Sequence, residues 1–332
     1  MKSRKFLFLF IVSVVVIGIS CYLSLDYKKK NQSFVLIPVR FFPFQNKPTM
    51  EIEIEGKKYS LLIDLGASQF LTLQKSCLDK IKSKSSISSS ETIGIKGNVY
   101  CDPGFEIPRI VIQNNLTITN APVFEKNIEF SKDANIWPSD SLWDRLKLAI
   151  IDGSIGLGVF QNLDCFFDFP RSELIVAESI TALTHDARCS LHDFIQVPFT
   201  VEQFGVVLSF ETDLGNKKFI LDTGATLSLF RESVVPKENA EQIESGKWLY
   251  TTDRLSIEGH NFGSWSFYLY NFADILACDG ILGVDFFKKH TIYLDFHNKI
   301  AYIKPYQSAG ERLVAWLYSK YKSGSNDQVK TY

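Results

Sequence analysis

Short runs of alternating apolar and polar residues, separated by turn residues, dominate this chain. Met50 to Glu55 and Val207 to Glu211 alternate with a period of two, which is typical of a half-buried β-strand. Each run leads through a turn into a nearly continuous apolar stretch, and these stretches end at Asp64 and Asp222. The pattern therefore predicts an all-β protein built from many short strands.

Two pairs of similar segments reveal an internal repeat. Residues 152–168 and 279–295 both begin with Asp-Gly, continue through a glycine-containing apolar stretch and end with an aspartate 16 residues after the first. Upstream of each lies a second match, LIDLGAS at residues 62–68 and ILDTGAT at residues 220–226. A duplication predicts two β-rich lobes. We expect these lobes to span residues 31–180 and 181–310.

The first lobe carries about 31 more residues than the second between the matched segments. Within this insert, residues 92–100 predict a glycine-tipped hairpin, and the Ser- and Lys-rich residues 82–90 predict a mobile loop. Residues 107–112 and 116–124 predict paired strands, and residues 139–148 predict a short helix. At the carboxyl end, residues 311–332 predict a small amphipathic helix followed by a polar tail.

The amino terminus has the pattern of a membrane or export signal. Basic residues precede an uncharged run at residues 6–25, and a charged segment follows at 26–30. Twenty apolar residues suffice to span a bilayer as a helix. We expect residues 1–30 to form an uncleaved signal anchor, with the soluble part outside the cytoplasm, periplasmic or extracellular. Cleavage as a secretory signal and lipidation at Cys21 are the alternatives, the second of them weaker.

Composition and charge exclude several classes of function. The formal net charge of −1 gives no overall field that would attract nucleic acid. With 45% hydrophobic residues, the chain can bury a core and is not a disordered protein. The six cysteines have no Cys-x-x-Cys spacing and the five histidines are scattered, so neither a metal site nor a cofactor is expected.

Two aspartates on related tight turns suggest acid–base chemistry. If the lobes pack about a pseudo-twofold axis, Asp64 and Asp222 approach each other, and two carboxylates at hydrogen-bond distance do not both ionise easily. One carboxylate then serves as base and the other as acid. Such a pair can activate a water molecule without a metal. Asp152 and Asp279 are duplicated as well, but their place before the glycine-rich stretch favours a structural role.

In these motifs the chain resembles the aspartic peptidases, with a two-lobed pepsin-like architecture and motifs closer to those of retropepsins. The resemblance rests on D-L-G-A-S and D-T-G-A-T, each with its downstream apolar-apolar-Gly segment, and extends over roughly residues 34–305. It implies an all-β bilobal fold and makes Asp64 and Asp222 the catalytic pair. It also implies active-site loops formed by Gly66, Ala67, Thr223, Gly224 and Ala225. The resemblance further implies a flap that closes over the substrate, formed by Gly94, Ile95 and Gly97 in the hairpin at residues 92–100.

Leu65 departs from the family pattern. The Thr or Ser hydroxyl that the family has at this position bonds across to the other lobe, and leucine cannot form that bond. The loss amounts to about 1 kcal/mol for one neutral hydrogen bond. Ala67 and Ala225 stand where some relatives that work in acid have Ser, so we expect a less acidic pH optimum.

The sequence therefore predicts a membrane-tethered aspartic endopeptidase that binds an extended peptide or protein substrate in the cleft between its lobes. A single chain supplies both aspartates, so a monomer is sufficient. The alternative is a weak or inactive pseudo-protease that uses the same cleft to bind peptides or proteins, and Leu65 keeps this alternative open.

Overall fold

The structure, a computed structural model, describes residues 34–42, 46–113, 116–126, 151–177 and 191–306. Within these ranges, no helix is both long and apolar enough to cross a membrane. Several predicted segments lie outside the described residues, namely the membrane segment at 6–25 with Cys21, the boundary between the lobes at 180–181, and the helices at 139–148 and 311–332.

The first half of the described chain is almost entirely β-structure. Its strands are β1 (Phe34–Pro38), β2 (Arg40–Phe41), β3 (Pro48–Ile54), β4 (Lys57–Asp64), β5 (Leu71–Leu73), β6 (Ser85–Ile93), β7 (Val99–Ile112), β8 (Leu116–Glu125), β9 (Gly153–Gly156), β10 (Asp164–Asp168) and β11 (Glu173–Ala177). Its helices are short, α1 (Lys75–Leu78), α2 (Leu157–Phe160) and a 3-10 turn at Phe169–Arg171.

The second half repeats this arrangement with shorter hairpins. Its strands are β12 (Ile195–Pro198), β13 (Thr200–Glu202), β14 (Gly205–Thr212), β15 (Gly215–Leu221), β16 (Leu229–Arg231), β17 (Ala240–Glu244), β18 (Lys247–Thr252), β19 (Ser256–Ile257), β20 (His260–Asn261), β21 (Trp265–Tyr270), β22 (Gly280–Leu282), β23 (His290–Asp295) and β24 (Ile300–Pro305). Its helices are α3 (Val284–Lys289) and 3-10 turns at Glu232–Val234, Lys237–Asn239 and Asp274–Leu276.

The described strands form three sheets, one for each lobe and one shared between them. The first lobe has the strand order β2-β3-β4-β9-β5-β8-β7-β6, and the second has β17-β18-β21-β16-β22-β15-β14-β19-β20 with β13 on β14. The shared sheet has the order β1-β11-β10-β23-β24-β12. Within it, β10 of the first half pairs antiparallel with β23 of the second. The two halves are therefore joined by backbone hydrogen bonds.

Phenylalanines fill the core where the two halves meet. Phe167 and Phe169, from either side of the end of β10, pack on Phe287 of α3, with ring centroids 5.6 Å apart in both pairs. All three side chains are buried. Burying one such ring stabilises the folded state by about 1.5–3 kcal/mol. This cluster fixes the relative position of the two lobes.

The strands predicted from period-two alternation are confirmed, since they match β3, β14, β7 and β8. The mobile loop predicted for residues 82–90 is wrong, because β6 begins at Ser85 and pairs antiparallel with the long strand β7. The side chains of residues 85–89 are exposed, so the sequence there lacks the apolar alternation of a half-buried strand. Backbone pairing with β7 holds this edge strand without a buried face.

Candidate active site

Both aspartates stand at the end of a strand beside a parallel neighbour. Asp64 ends β4 and pairs with Gly156 of β9. Asp222 directly follows β15, and its N–H donates to the carbonyl oxygen of Leu282 in β22, 3.0 Å away. Since β15 and β22 are also parallel, the two lobes present the same unit. The duplication read in the sequence is thus a duplication of structure.

The two loops pack so closely that only glycine fits at the third position of each motif. A Cβ atom placed on Gly66 would lie 2.5 Å from Cγ of Asp222. The same atom on Gly224 would lie 2.5 Å from Oδ1 of Asp64. At these distances any side chain would clash with the aspartate of the other lobe. The structure therefore brings together Asp64 and Asp222, the pair predicted from the sequence, across the interface between the lobes.

Hydrogen bonds connect the two carboxyl groups to their own loops and to each other. The N–H of Gly66 donates to Oδ1 of Asp64 over 3.1 Å, and the N–H of Gly224 donates to Oδ1 of Asp222 over 2.7 Å. The carboxyls are also hydrogen-bonded to each other, and this bond raises the pKa of Asp64 while lowering that of Asp222. The two carboxyls therefore share one proton.

The pKa of both carboxyl groups is displaced upward. Burial first, and then the charge of Asp222, raise the pKa of Asp64 from 3.8 to about 7. Burial also raises the pKa of Asp222, although the N–H groups of Gly224 and Ala225 oppose the rise. Both residues remain partly exposed at the cleft. The pair can therefore hold one shared proton well above the usual range of an aspartate.

Thr223 forms one half of the expected contact between the lobes. Its hydroxyl donates to the carbonyl oxygen of Ile63 over 2.8 Å and accepts from the N–H of Leu65 over 3.0 Å. Leu65 is fully buried in the hydrophobic core. Its side chain therefore contributes packing where a hydroxyl would have formed the second half of the contact.

Ala67 and Ala225 fix the active-site loops through their backbones. The carbonyl oxygen of Ala67 accepts from the N–H of Leu157, the first residue of α2, over 2.8 Å. The carbonyl oxygen of Ala225 accepts from the N–H of Val284, the first residue of α3, at the same distance. Each helix thereby secures the loop of its own lobe.

Asp152 and Asp279 have the structural role expected of them. A carboxylate oxygen of Asp152 accepts from the N–H of Ser60, and one of Asp279 accepts from the N–H of Lys218, both over 2.8 Å. These bonds hold the middle of β4 and β15, the strands that lead to Asp64 and Asp222. Within the described ranges, no group of three or more His, Cys, Asp or Glu side chains is placed to hold a metal ion.

The hairpin that is expected to act as the flap is present and is formed by β6 and β7. At its tip the N–H of Gly94 donates to the carbonyl oxygen of Asn98, and Gly97 adopts a φ of +85°, which favours glycine. The tip reaches the second lobe, where the N–H of Ala273 donates to the carbonyl oxygen of Ile95 over 3.0 Å. The flap is therefore closed across the cleft in this structure.

Replacing Ala273 by proline is expected to loosen this closure. Proline removes the N–H donor, and its ring fits the backbone because Ala273 has a φ of −62°. Amide hydrogen exchange at the flap tip should then be about fivefold faster, corresponding to the loss of ~1 kcal/mol for one hydrogen bond. Ala273→Gly keeps the donor and serves as the control. Equal exchange in wild type and Ala273→Pro would contradict the contact.

The second lobe has a shorter counterpart of the flap. The hairpin of β17 and β18 turns at Gly246, and its strands have five and six residues against nine and fourteen in the flap. Trp248 on this hairpin lines a cavity of about 390 Å³ in the second lobe, together with Val235 and Leu269.

Sequence reasoning missed a polar network under the flap. The side-chain amide of Gln69 donates to the Thr92 hydroxyl over 2.7 Å and to the Asp102 carboxylate over 2.9 Å. Thr92 also donates to Asp102 over 2.6 Å. The network ties the catalytic loop to both strands of the flap. No sequence motif predicts this network, because its three residues are far apart in the sequence.

Comparison with solved structures supports this architecture. No protein-family model and no curated protein matches the chain. The crystal structure of basic 7S globulin from soybean is similar, with a TM-score of 0.55 at 10% identity over 82% of this chain and 95% of that chain. The chain has an aspartic-protease-like fold. Conglutin gamma, a unique basic 7S globulin from lupine seeds, shares it, with a TM-score of 0.56 at 9% identity over 83% of this chain and 96% of that one.

At these identities the likeness shows the fold alone, so any activity has to be argued from the site. In this aspartic-protease-like fold both lobes of a single chain supply a carboxyl group to one pair.

Four cysteines within the described ranges are free thiols, Cys77, Cys101, Cys165 and Cys278. Burial raises the pKa of Cys77 and Cys278 to about 11, so these two remain protonated near neutral pH.

Proposed function

We propose that this chain binds an extended peptide between its lobes and hydrolyses a peptide bond with the Asp64–Asp222 pair. The observation that carries the proposal is the close approach of the two active-site loops, which brings the Asp64 and Asp222 carboxyl groups together so that they share one proton. Neutral Asp64 can donate its proton to the carbonyl oxygen of the peptide bond. Ionised Asp222 can take a proton from the attacking water.

The surroundings of the pair support this chemistry. The flap reaches across the cleft to Ala273, which restricts the access of bulk water to the carboxyl groups. Because Asp64 must be protonated, activity should fall as the pH rises through about 7, where this carboxyl loses its proton. The less acidic optimum expected from Ala67 and Ala225 is part of the same proposal.

A second candidate is a peptide- or protein-binding module with weak or no catalysis. Leu65 favours it, since this residue removes half of the hydroxyl contact between the active-site loops. The two solved structures that share the fold are named as globulins and not as peptidases, so the comparisons favour this candidate over the enzyme. Both candidates use the same cleft, and they differ in whether the bound peptide is cut.

Incubation with a diverse peptide library from pH 3 to 8 distinguishes the two. The proposal expects cut products below about pH 7 that a pepstatin-type transition-state inhibitor prevents. Retention of library peptides without any cut product would establish the binding module. A chain that neither cuts nor retains peptides would contradict both candidates.

The variant Leu65→Thr is expected to raise kcat about fivefold over the wild type. A hydroxyl at this position restores the second half of the contact, worth ~1 kcal/mol in orientation of the carboxyl pair. Leu65→Val, which is β-branched like threonine but lacks the hydroxyl, is the matched control. The measurement is steady-state cleavage of one library substrate. A gain in the valine variant equal to that in the threonine variant would contradict the hydroxyl argument.

We place the proposed cleft outside the cytoplasm, tethered to a membrane by residues 6–25. The support is the uncharged run itself, with basic residues on both sides. Lipidation at Cys21 is the weaker alternative for the anchor. Membrane fractionation of the full-length chain, compared with a chain lacking residues 6–25, tests the tether. Equal solubility of the two chains would contradict it.

A further inference from the structure

The strand register places a lysine opposite one catalytic aspartate and a glycine opposite the other. In β3 and β4 the last paired residues are Thr49 and Leu62, and extending this register by two residues places Lys47, just before β3, across from Asp64. In β14 and β15, Val206 pairs with Leu221, so Gly205 lies across from Asp222. Residues directly across an antiparallel ladder point to the same face. Lys47 therefore extends on the same face as the Asp64 carboxyl group.

The second lobe has no room for an equivalent side chain. A Cβ atom on Gly205 would lie 2.9 Å from Cγ2 of Ile220 and 3.2 Å from the carbonyl oxygen of Leu65. The lysine is thus a feature of the first lobe alone, and the environment of the pair is asymmetric. The backbone of Lys47 is fixed by a hydrogen bond, in which the N–H of Phe42 donates to the Lys47 carbonyl oxygen over 2.9 Å.

A second lysine approaches the same place from β8. Lys126 follows β8 directly, and its N–H donates to the carbonyl oxygen of Leu73 in β5 over 2.8 Å. Burial lowers the pKa of Lys126, and the nearby Lys47 ammonium lowers it further, whereas Asp64 opposes the change. Lys47 lowers the pKa of both catalytic carboxyls. The two ammonium groups are therefore close enough to each other and to Asp64 to interact electrostatically.

Neither of these two cations has an ion-pair partner among the residues that the structure describes. Both residues are only partly exposed, and within the described ranges neither ammonium group has a salt bridge or a side-chain hydrogen bond. The aspartate pair carries one negative charge while it shares a proton. Together with the two lysine ammonium groups, the site therefore has a net charge of about +1. Partly buried like charges are unfavourable without a counterion. A substrate anion is the group that would balance them.

We propose that Lys47 and Lys126 form an anion-binding subsite that selects peptides with an acidic side chain on the first-lobe side of the cleft. This inference rests on the proposed function, since it assumes that the cleft binds an extended peptide. It adds the class of side chain preferred there, namely Asp or Glu. A neutral or basic side chain would leave the two ammonium groups unpaired.

Binding by the full-length Asp222→Asn variant tests the subsite separately from cleavage. Fluorescent octapeptides carry Glu at one position in turn, and each is paired with a peptide carrying Gln at that position. We expect at least one position at which Glu binds about tenfold more tightly than Gln, or ~1.4 kcal/mol. The preference should shrink as salt is raised.

Substitutions of the two lysines then locate the preference. Lys47→Met and Lys126→Met, each in the Asp222→Asn background, should reduce the Glu-to-Gln ratio to about one, and Lys47→Arg should restore it. Lys80→Met, at an exposed position on the same lobe, is the control. Equal thermal midpoints would show that the variants are folded.

Each contrary result has a distinct meaning. Peptides that bind with no preference for Glu at any position would overturn the subsite while leaving the cleft as a peptide-binding site. A preference that survives both methionine substitutions would overturn the assignment to these lysines. Failure of every peptide to bind would overturn the proposed function and this inference together.

Discussion

Replacing Asp222 by asparagine is expected to lower kcat/KM for peptide cleavage at least about 10³-fold. Asparagine has the shape of aspartate and can still accept the N–H of Gly224, so the loop should keep its geometry. It cannot take a proton from water. The effect should therefore fall on kcat, because peptide binding in the cleft does not depend on the proton transfer.

The control for this substitution is Asp253→Asn, which changes an exposed aspartate of the same lobe. Cleavage of one library substrate is measured together with peptide binding and thermal midpoint. An Asp222→Asn variant that keeps wild-type cleavage would show that another group activates the water. Loss of cleavage together with loss of folding would be resolved by Asp222→Glu, which retains the carboxylate.

The second large effect concerns stability and its dependence on pH. Because the folded chain holds the Asp64 proton up to about pH 7 while the unfolded chain loses it near 3.8, this carboxyl stabilises the fold fully below pH 4. That contribution is lost as the pH rises from 4 to 7. The change in pKa corresponds to about 4 kcal/mol at ~1.4 kcal/mol per pH unit, and residual solvent contact at the cleft lowers it to about 2.

Asp64→Asn removes the cost of ionisation, and its amide can still donate to Asp222. The variant should therefore gain about 2 kcal/mol in free energy of unfolding over the wild type at pH 8, with the gain growing between pH 4 and 7. Urea unfolding at four pH values measures it, with Asp253→Asn as the control. A difference that is constant with pH would mean that the pKa of Asp64 is not raised by folding.

Local pattern was enough to predict much of this fold. Period-two alternation located β3 and β14, and the repeated Asp-x-Gly motifs located the turns that carry Asp64 and Asp222. These features depend on residues near one another in the chain. The duplication supplied the long-range information, since two copies of one unit predict a symmetric pair of loops.

Features that depend on strand register or on distant contacts were not predictable. Lys47 faces Asp64 only because the turn between β3 and β4 sets that register. The network of Gln69, Thr92 and Asp102 joins three segments that no spacing relates. Strand β6 escaped prediction because its first residues are polar and exposed, and pairing with β7 alone holds them in the sheet.

Carboxyl titration tests the shared proton between the lobes most directly. In protein labelled with ¹³C at the aspartate Cγ, the signals of Asp64 and Asp222 are assigned by comparison with Asp64→Asn and Asp222→Asn and followed from pH 3 to 9. The structure predicts that one of the two carboxyls stays protonated until about pH 7 and that replacing either residue changes the titration of the other. Two independent titrations, both near 3.8, would contradict the pair.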